Sequence, residues 1–204
     1  LRVVSGTLTL SATNLEIGIT GTLTGTVDEE GVVLVPAHTF RETIALISEK
    51  EVTLSTTDTI LHIEAHNSKT DIKTVEGGEF PPIKKIEGTE YTLDTHLFAY
   101  GIKTVAFAAS QSTIKPELGS IYLFQKKEFS LTYVATDSFR LIEKTIPHKQ
   151  LVFEHALLIP AKNALELARV AEERKGDVVL TVGDNQCALD FGDMYITSRL
   201  VAGT

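Results

Sequence analysis

The chain has 204 residues and a formal net charge of −8, from 19 Lys and Arg against 27 Asp and Glu. This acidic total argues against a general nucleic-acid coat protein, because such proteins gain affinity from an excess of cations, unless the few cations are segregated onto one surface. With 43% hydrophobic and 23% charged residues the composition is that of a globular protein rather than a disordered one, and the length allows one large domain or two smaller ones.

The single cysteine, Cys187, cannot form an internal disulfide, which fits a reducing, cytoplasmic setting. No stretch approaches about 18 consecutive apolar residues, and no basic region followed by an apolar run opens the chain, so the sequence predicts neither a membrane span nor a signal peptide. The chain begins at Leu1 without Met and ends directly after a strand-like run, so we expect it to be a piece of a longer protein.

Most segments alternate apolar and polar residues at period two, which is typical of half-buried antiparallel strands. The clearest examples are residues 7–10, 15–19, 52–55 and 60–64. Helical spacing of apolar residues predicts three helices, at 36–47, 92–108 and 160–173. Pro36 and Pro160 fall in the first turns of two of them, where the missing N–H of proline costs nothing. These patterns predict an α+β fold in which strands dominate.

The sequence contains a long internal repeat. Val-Leu-Val-Pro-Ala at 33–37 recurs as Leu-Leu-Ile-Pro-Ala 124 residues later, and the run 8–14 is echoed 123 residues later. The repeat is longer than a solenoid unit of about 20–50 residues, so each copy should bury its own core. We predict domains at residues 1–87 and 88–204, joined near Pro81 and Pro82. The first copy lacks a counterpart of the helix at 92–108, so we expect its N-terminal part to be missing.

Five motifs in the repeat resemble those of the bacterial DNA sliding clamp family, the beta subunit of DNA polymerase III. They are Ala-Thr-Asn-Leu-Glu at 12–16, Val-Pro-Ala at 35–37, Gly-Glu-Phe-Pro at 78–81, Val-Ala-Thr-Asp-Ser-Phe-Arg-Leu at 134–141 and Thr-Ser-Arg-Leu-Val-Ala-Gly at 197–203. The resemblance covers essentially the whole chain. It implies tandem DNA-clamp domains, each with antiparallel sheets on the outside and helices on the inner face.

In the family, three such domains form a subunit, and two subunits close into a homodimer ring around duplex DNA. The resemblance therefore implies that this chain holds most of the first domain and the second, with the third domain absent. It also implies a processivity factor for DNA replication, which binds double-stranded DNA without reading its sequence. DNA polymerase, the clamp loader and repair proteins would bind it through short peptide motifs.

Cations on the predicted inner helices, just after the third helix and in the loop 111–118 are the candidates for contact with DNA phosphates. They are His38, Arg41, His96, Lys103, Lys115, Lys162, Arg169, Arg174 and Lys175. The same helices carry acids, so each of these cations could equally belong to an ordinary solvated helix face. In relatives, aromatic residues of the loop equivalent to 111–118 touch DNA. Here those positions are Pro116 and Glu117, which puts that contact in doubt.

The resemblance also implies the second-domain half of a peptide-binding pocket. Its predicted residues are Leu118, Thr136, Ser138, Phe139, Arg140 and Leu141. A hydrophobic groove would bury an aliphatic and aromatic peptide tail, while Arg140 anchors a carbonyl or carboxylate. Without the resemblance, Leu118 and Leu141 could be core residues and Arg140 a surface ion pair. Relatives often have Gly-His in place of Ser138 and Phe139.

A dimer interface is implied on the exposed face of the first helix. Its predicted residues are Thr39, Thr43 and Ile47. In relatives this face meets the third domain of the other subunit.

Other functions have weaker signals. His62, Glu64 and His66 share one face of a predicted strand and could bind zinc, but an exposed polar strand gives the same pattern, and we predict no metal site and no cofactor. No nucleophile elbow or phosphate-binding glycine loop is present, so we predict no enzyme. The main alternative to a clamp is a repeat-built protein-binding scaffold with no DNA role, which predicts neither cationic inner helices nor a groove beside Arg140.

Overall fold

The computed structural model describes residues 1–75, 80–112 and 114–203. Gly78 and Glu79 of one clamp-like motif, and Thr113 of the 111–118 loop, lie outside the described residues. The chain divides into two compact units, the first formed by Leu1–Ala12 and Thr20–Pro82 and the second by Thr13–Ile19 and Ile83–Thr204. In the described part of the chain, no helix is long and apolar enough to cross a membrane.

The strands of the first copy of the repeat flank a single helix. The elements are β1 (Arg2–Val4), β2 (Thr7–Thr13), β3 (Ile17–Leu23), β4 (Gly31–Val32), α1 (Ala37–Ala45), β5 (Thr53–Thr57), β6 (Ile60–Ala65) and β7 (Ser68–Lys73). Strands β4, β1, β2 and β3 are neighbours in that order, and β5, β6 and β7 form a separate antiparallel sheet. Leu61, Ile63 and Ile72 form a small core, against which Phe40 and Ile44 of α1 pack.

The second unit is larger and contains two antiparallel sheets and two packed helices. Its elements are β8 (Thr89–Asp94), α2 (Thr95–Val105) with a 3₁₀ turn (Ala106–Ala108), β9 (Ser120–Phe124), β10 (Ser130–Thr136), β11 (Leu141–Pro147), β12 (Ala156–Pro160), α3 (Ala161–Glu172), β13 (Asp177–Val182), β14 (Gln186–Asp190) and β15 (Met194–Arg199). The sheet orders are β11-β10-β9-β12 and β15-β14-β13-β8. Helices α2 and α3 pack against each other, and α2 also packs on β10 and β11.

The predicted helices are present, but their ends differ from the prediction. Residues 92–94 belong to β8, whose Asp94 pairs with Asp177 of β13. Asp94 Oδ1 then accepts a hydrogen bond from the Leu97 N–H at 2.8 Å and caps the start of α2. The period-two pattern of β8 and the helical pattern of α2 run together in the sequence, so the boundary between them depends on pairing with β13.

Helix α2 lies very close to strand β10 at Gly101. A Cβ atom built on Gly101 would lie 2.4 Å from two atoms of the Tyr133 ring, closer than real Cβ atoms come to other heavy atoms. Tyr133 is fully buried, which raises the pKa of its hydroxyl. A glycine inside a helix costs up to about 1 kcal/mol relative to alanine, and this cost is offset here by the close packing of α2 on the sheet.

We expect Gly101→Ala to destabilise the protein although alanine is the better helix former. The added methyl group overlaps the Tyr133 ring, and overpacking of a core typically costs about 1–3 kcal/mol. That cost exceeds the roughly 1 kcal/mol gained in helix propensity. The measurement is the free energy of unfolding from urea denaturation followed by circular dichroism.

Tyr133→Leu provides the control, because a smaller side chain leaves room for the methyl group. Gly101→Ala and Tyr133→Leu together should therefore cost less than the sum of their separate costs. Strictly additive costs would show that this contact does not limit the distance between helix and sheet.

A buried histidine follows β11. His148 is 6% exposed, and its Nε2 atom has no hydrogen-bond partner among the described residues. Burial lowers the pKa of His148 from its ordinary value of 6.5, and the nearby Asp94 carboxylate opposes this effect without overcoming it. The imidazole is therefore neutral in the folded protein at neutral pH.

The free energy of unfolding should fall as the pH drops below 6.5, because the unfolded chain then binds a proton that folded His148 does not yet accept. Well above that pH both states are neutral and His148 adds no pH dependence. Urea denaturation at several values between about pH 5 and 8 measures the effect. His148→Gln should lose less stability on acidification than the wild type, whereas His66→Gln, at an exposed histidine, should behave like the wild type. Equal losses in the wild type and His148→Gln would contradict the prediction.

Candidate functional site

A hydrogen-bonded turn joins β10 to β11 and presents Arg140. Asp137 Oδ1 accepts hydrogen bonds from the backbone N–H groups of Phe139 at 3.0 Å and Arg140 at 2.9 Å. The Thr136 hydroxyl donates to the Arg140 carbonyl at 2.7 Å and accepts from the Ser138 N–H at 3.2 Å. Ser138 adopts a φ of 78°, which non-glycine residues seldom do, and these bonds hold it there. The backbone of Arg140 is therefore held at two points.

The same carboxylate also orients the Arg140 side chain. Asp137 Oδ2 accepts a hydrogen bond from Arg140 Nε at 2.9 Å. The backbone N–H of Arg140 contributes most to holding the pKa of Asp137 below its ordinary value, followed by the N–H of Phe139, and the guanidinium lowers it further. Asp137 consequently stays ionised and fixes the guanidinium through a charge-assisted contact.

An equivalent turn joins β2 to β3 in the first copy of the repeat. The Thr13 hydroxyl donates to the Ile17 carbonyl at 2.8 Å and accepts from the Leu15 N–H at 3.0 Å. Asn14 Oδ1 accepts from the N–H groups of Glu16 at 3.0 Å and Ile17 at 2.8 Å. Leu15 adopts a φ of 75°. The predicted repeat thus extends to individual hydrogen bonds of this turn.

Large apolar side chains next to Arg140 are exposed. Phe139 is 98% exposed, Leu141 62% and Phe107 61%. The Arg140 guanidinium carbon lies 5.7 Å from the centre of the Phe107 ring, within the range of a cation–π contact. Leu118 is half-buried. We call these five residues the Arg140 surface.

The exposure and contacts of Leu141 and Arg140 bear on the alternatives of core residue and surface ion pair. Leu141 is not a core residue, because most of its surface is exposed. Arg140 does form a surface ion pair, with Asp137. That pair lies within the turn and leaves the Arg140 side chain more than half exposed, so it remains accessible to a ligand.

Sequence reasoning alone does not identify Phe107 as part of this surface. Phe107 lies in the 3₁₀ turn after α2, where Ala108 is fully buried. The loop that follows brings Leu118 close, since the Ser110 N–H donates to the Leu118 carbonyl at 2.8 Å. The one available signal is a large aromatic residue in a run of alanines, but its contact with Arg140 depends on how α2 packs on β10 and β11.

Three of the predicted DNA-facing cations in the second unit pair with carboxylates. Lys103 Nζ on α2 lies 2.9 Å from Glu172 at the end of α3. Arg169 Nε lies 3.0 Å from Glu166, and its Nη1 lies 3.2 Å from Glu173. All five side chains are about half exposed, and such surface pairs typically contribute only about 0–1 kcal/mol.

The third paired cation lies just beyond α3. Arg174 binds Asp193, and its guanidinium carbon lies 5.4 Å from the centre of the Phe191 ring. This side chain is mostly buried, since 28% of it is exposed. Arg174 is therefore the least available to an external ligand among the predicted cations of this unit.

The remaining predicted cations are exposed. In the second unit, His96, Lys115, Lys162 and Lys175 form no ion pair with another described residue. In the first unit, Arg41 on α1 is exposed and His38 lies 3.2 Å from Glu42. The three helices together carry four Lys and Arg and three Glu, a formal charge of +1 against −8 for the whole chain. Cations are thus enriched on the helices, although acids accompany them.

The predicted dimer positions differ in exposure. Thr39 is exposed and Thr43 is half-buried on α1. Helix α1 ends at Ala45, and Ile47 lies beyond it and packs against the core of the first unit. The prediction that Ile47 lies on an exposed helix face is therefore wrong. The neighbouring Leu46, which is 87% exposed, is the apolar side chain available there.

Two of the side chains considered as zinc ligands on β6 pair with side chains of β7 instead. His62 Nδ1 lies 2.6 Å from Asp71 Oδ1, and Lys69 Nζ lies 2.6 Å from Glu64. His66 falls after the end of β6. Across the described ranges, no group of three or more His, Cys, Asp and Glu side chains could hold a metal ion.

The lone cysteine lies in a strand core. Cys187 on β14 is fully buried, and burial raises the pKa of its thiol to about 12. A buried thiol of this kind is unreactive at neutral pH, which agrees with a structural role.

Two family profiles match the chain. The N-terminal domain of the DNA polymerase III beta subunit matches residues 1–84, and the central domain of the same subunit matches residues 92–204, more than half of the chain. The chain belongs to the DNA polymerase III beta subunit family. The predicted resemblance to this family is confirmed.

Curated beta sliding clamps match along all or nearly all of the chain. The beta sliding clamps of Escherichia coli K12 and Salmonella typhimurium are each 26% identical to it over 206 residues, covering 100% of this chain and 56% of each clamp. The beta sliding clamp of Synechocystis is 26% identical over 219 residues, covering 96% of this chain and 56% of that clamp. The chain spans little more than half the length of these relatives.

Solved beta subunit structures share the fold. The Pseudomonas aeruginosa subunit has a TM-score of 0.87 at 25% identity, covering 100% of this chain and 57% of that one. The Thermotoga maritima subunit has a TM-score of 0.92 at 22% identity, covering 100% and 56%. A Pseudomonas aeruginosa sliding clamp bound to griselimycin has a TM-score of 0.88 at 24% identity, covering 100% and 56%. The predicted α+β clamp fold is confirmed.

Proposed function

We propose that the chain forms two domains of a DNA sliding clamp, a non-catalytic processivity factor that holds DNA polymerase on duplex DNA. The observation that carries this proposal is the ordered match of residues 1–84 and 92–204 to two successive domains of the beta subunit. The domain division at 87 and 88, a homodimer ring completed by a third domain, and a cytoplasmic location belong to the same proposal. The family match favours this function over a scaffold with no DNA role.

The Arg140 surface is the proposed docking site for partner peptides. Phe107, Phe139 and Leu141 expose apolar area, and the Asp137 carboxylate holds the guanidinium of Arg140 beside it. Exposed apolar area next to a fixed donor suits a short peptide with aliphatic and aromatic side chains and one carbonyl or carboxylate. Thr136 and Ser138 act through the turn, since their polar groups are used within it. Leu118 supplies the half-buried edge.

Peptide binding tests this site. A synthetic peptide with Leu-Phe at its centre in a Gly and Ser background should bind, and Arg140→Ala should weaken it by about tenfold or more, as expected when a charged hydrogen bond is lost. Fluorescence anisotropy of the labelled peptide measures the affinity. Arg199→Ala is the matched control, because Arg199 is an exposed arginine on β15, in the other sheet of the second unit.

The variants separate the possible outcomes. Binding that Arg140→Ala weakens and Arg199→Ala leaves unchanged supports the assignment. Equal affinities of the wild type and Arg140→Ala would exclude Arg140 as the anchor. Thermal unfolding of each variant shows that a loss of binding does not come from a loss of fold.

The helix cations are the proposed contacts to DNA phosphates. A protein that slides needs sequence-independent phosphate contacts and no base contacts. The helices carry a charge of +1 in a chain of −8, and two of their four Lys and Arg residues are paired with acids, so the attraction should be weak. The unpaired Lys162 at the start of α3 and Lys175 after its end are the strongest candidates.

Binding to duplex DNA should be detectable only at low salt. Lys162→Gln should reduce the magnitude of the slope of log binding constant against log salt concentration by about one, because one phosphate contact is lost. Lys126→Gln is the matched control, since Lys126 pairs with Glu143 on β11. Fluorescence anisotropy of a labelled duplex measures both slopes. Equal slopes for the wild type and Lys162→Gln would show that Lys162 does not contact DNA.

A further inference from the structure

Two exposed aromatic rings, one on α2 and one in the 3₁₀ turn that follows it, each lie close to a cation of the segment 140–144. Tyr100 is 54% exposed, and the Lys144 Nζ lies 5.1 Å from the centre of its ring. Phe107 is 61% exposed, with the Arg140 guanidinium carbon at 5.7 Å. We call these four residues the cation–aromatic strip. Half of the strip belongs to the Arg140 surface, and the other half, Tyr100 and Lys144, extends beyond it.

The fold places these residues in one row. Tyr100 and Phe107 are seven positions apart, which is two helical turns, so they lie on the same side of α2 and its 3₁₀ extension. Lys144 lies on β11, and Arg140 precedes the first residue of that strand, four positions earlier; the even spacing in extended chain places both side chains on the same side. Lys144 contacts the earlier aromatic residue and Arg140 the later one, so helix and strand run in opposite directions along the strip.

The strip carries excess positive charge at the Lys144 end. Arg140 is paired with Asp137, whereas Lys144 forms no ion pair with another described residue. The adjacent Glu143 does not neutralise Lys144, because its carboxylate binds Lys126 at 2.7 Å. Helix α2 between Thr95 and Val105 contains no acid. A ligand that reaches Lys144 therefore meets an unneutralised cation beside an exposed aromatic ring.

We propose that the cation–aromatic strip continues the peptide site and binds an acidic side chain located beside the aliphatic and aromatic part of a partner peptide. This inference rests on the proposed peptide-docking function of the Arg140 surface. The carboxylate pairs with Lys144, and the Tyr100 ring covers the methylene groups of the same side chain.

The spacing of the strip sets the position of the acid. Four strand residues span roughly 13 Å, and an extended peptide advances by roughly the same distance per residue as a strand. The acid therefore lies about four residues from the residue bound at Arg140.

The strip suits a peptide better than duplex DNA. DNA binding needs several cations spaced along a phosphate backbone, and here one of the two cations is already paired with Asp137. The exposed rings also match a chain with apolar side chains, since the edges and methylene groups of a peptide can pack on them.

Matched peptides test this inference on the chain as it exists. The core probe is the Leu-Phe peptide, and two extended probes carry Glu about four residues before or after Leu-Phe, each with a Gln counterpart. One of the two Glu peptides should bind about two- to fivefold tighter than its Gln counterpart at low salt, the gain of one exposed ion pair. The gain should disappear at high salt and in Lys144→Gln, and shrink in Tyr100→Ala.

Arg199→Ala is the control for the removal of an exposed cation elsewhere in the second unit, and it should keep the preference for Glu. Thermal unfolding of Lys144→Gln and Tyr100→Ala checks that both variants fold. The core probe should bind wild type and Lys144→Gln equally, because it does not reach Lys144.

The outcomes separate this inference from the proposed function. If the core probe binds through Arg140 but Glu and Gln peptides bind equally, the acidic preference is excluded and the peptide site remains. A preference for Glu that survives in Lys144→Gln also excludes the strip. If no peptide binds, both the strip and the peptide site are excluded. A loss of duplex DNA affinity in Lys144→Gln with no Glu preference would assign the strip to DNA and overturn the inference.

Discussion

The contact between Gly101 and the buried Tyr133 ring sets the distance between α2 and the β10–β11 pair, and the candidate site depends on that distance. Tyr133 is the cross-strand partner of Lys144, and Gly101 follows Tyr100 directly. One close contact in the core therefore brings the ammonium group of Lys144 over the Tyr100 ring on the surface. The 3₁₀ turn that continues α2 then carries Phe107 to Arg140. A larger residue at position 101 would separate both pairs together.

The local features of the site could be predicted from the sequence, and its long-range contacts could not. Thr136 and Asp137 form their turn with neighbours in the chain, so the motif at 134–141 indicates both the turn and an exposed Arg140. Phe107 contacts Arg140 only because of how α2 packs on β10 and β11. The sequence pattern does not predict how this helix and these strands align. Ile47 shows an error in a local prediction. Helical spacing from Thr39 and Thr43 extends to position 47, but α1 ends at Ala45 and Ile47 packs against the core of the first unit.

The distribution of charge, and not the net charge of the chain, bears on DNA binding. The acidic total argues against nucleic-acid binding, yet the helices carry a charge of +1. Lys103 and Arg169 are partly neutralised by acids on or just after α3, which leaves Lys162 and Lys175 as the unpaired lysines at its two ends. Weak attraction is what the proposed clamp function requires, because strong local phosphate contacts would resist sliding.

The two copies of the turn share their hydrogen bonds but differ in their side chains. Thr13 and Asn14 form the same hydrogen bonds as Thr136 and Asp137, so this bonding pattern alone does not distinguish the proposed peptide site from the first turn. The position of Arg140 is occupied in the first copy by Ile17, which packs against the core. Both copies thus use this turn to reverse the chain, with one residue at positive φ. Only the second copy uses it to hold a guanidinium next to exposed aromatic rings, and this difference in side chains is why the peptide site is proposed at one turn and not at the other.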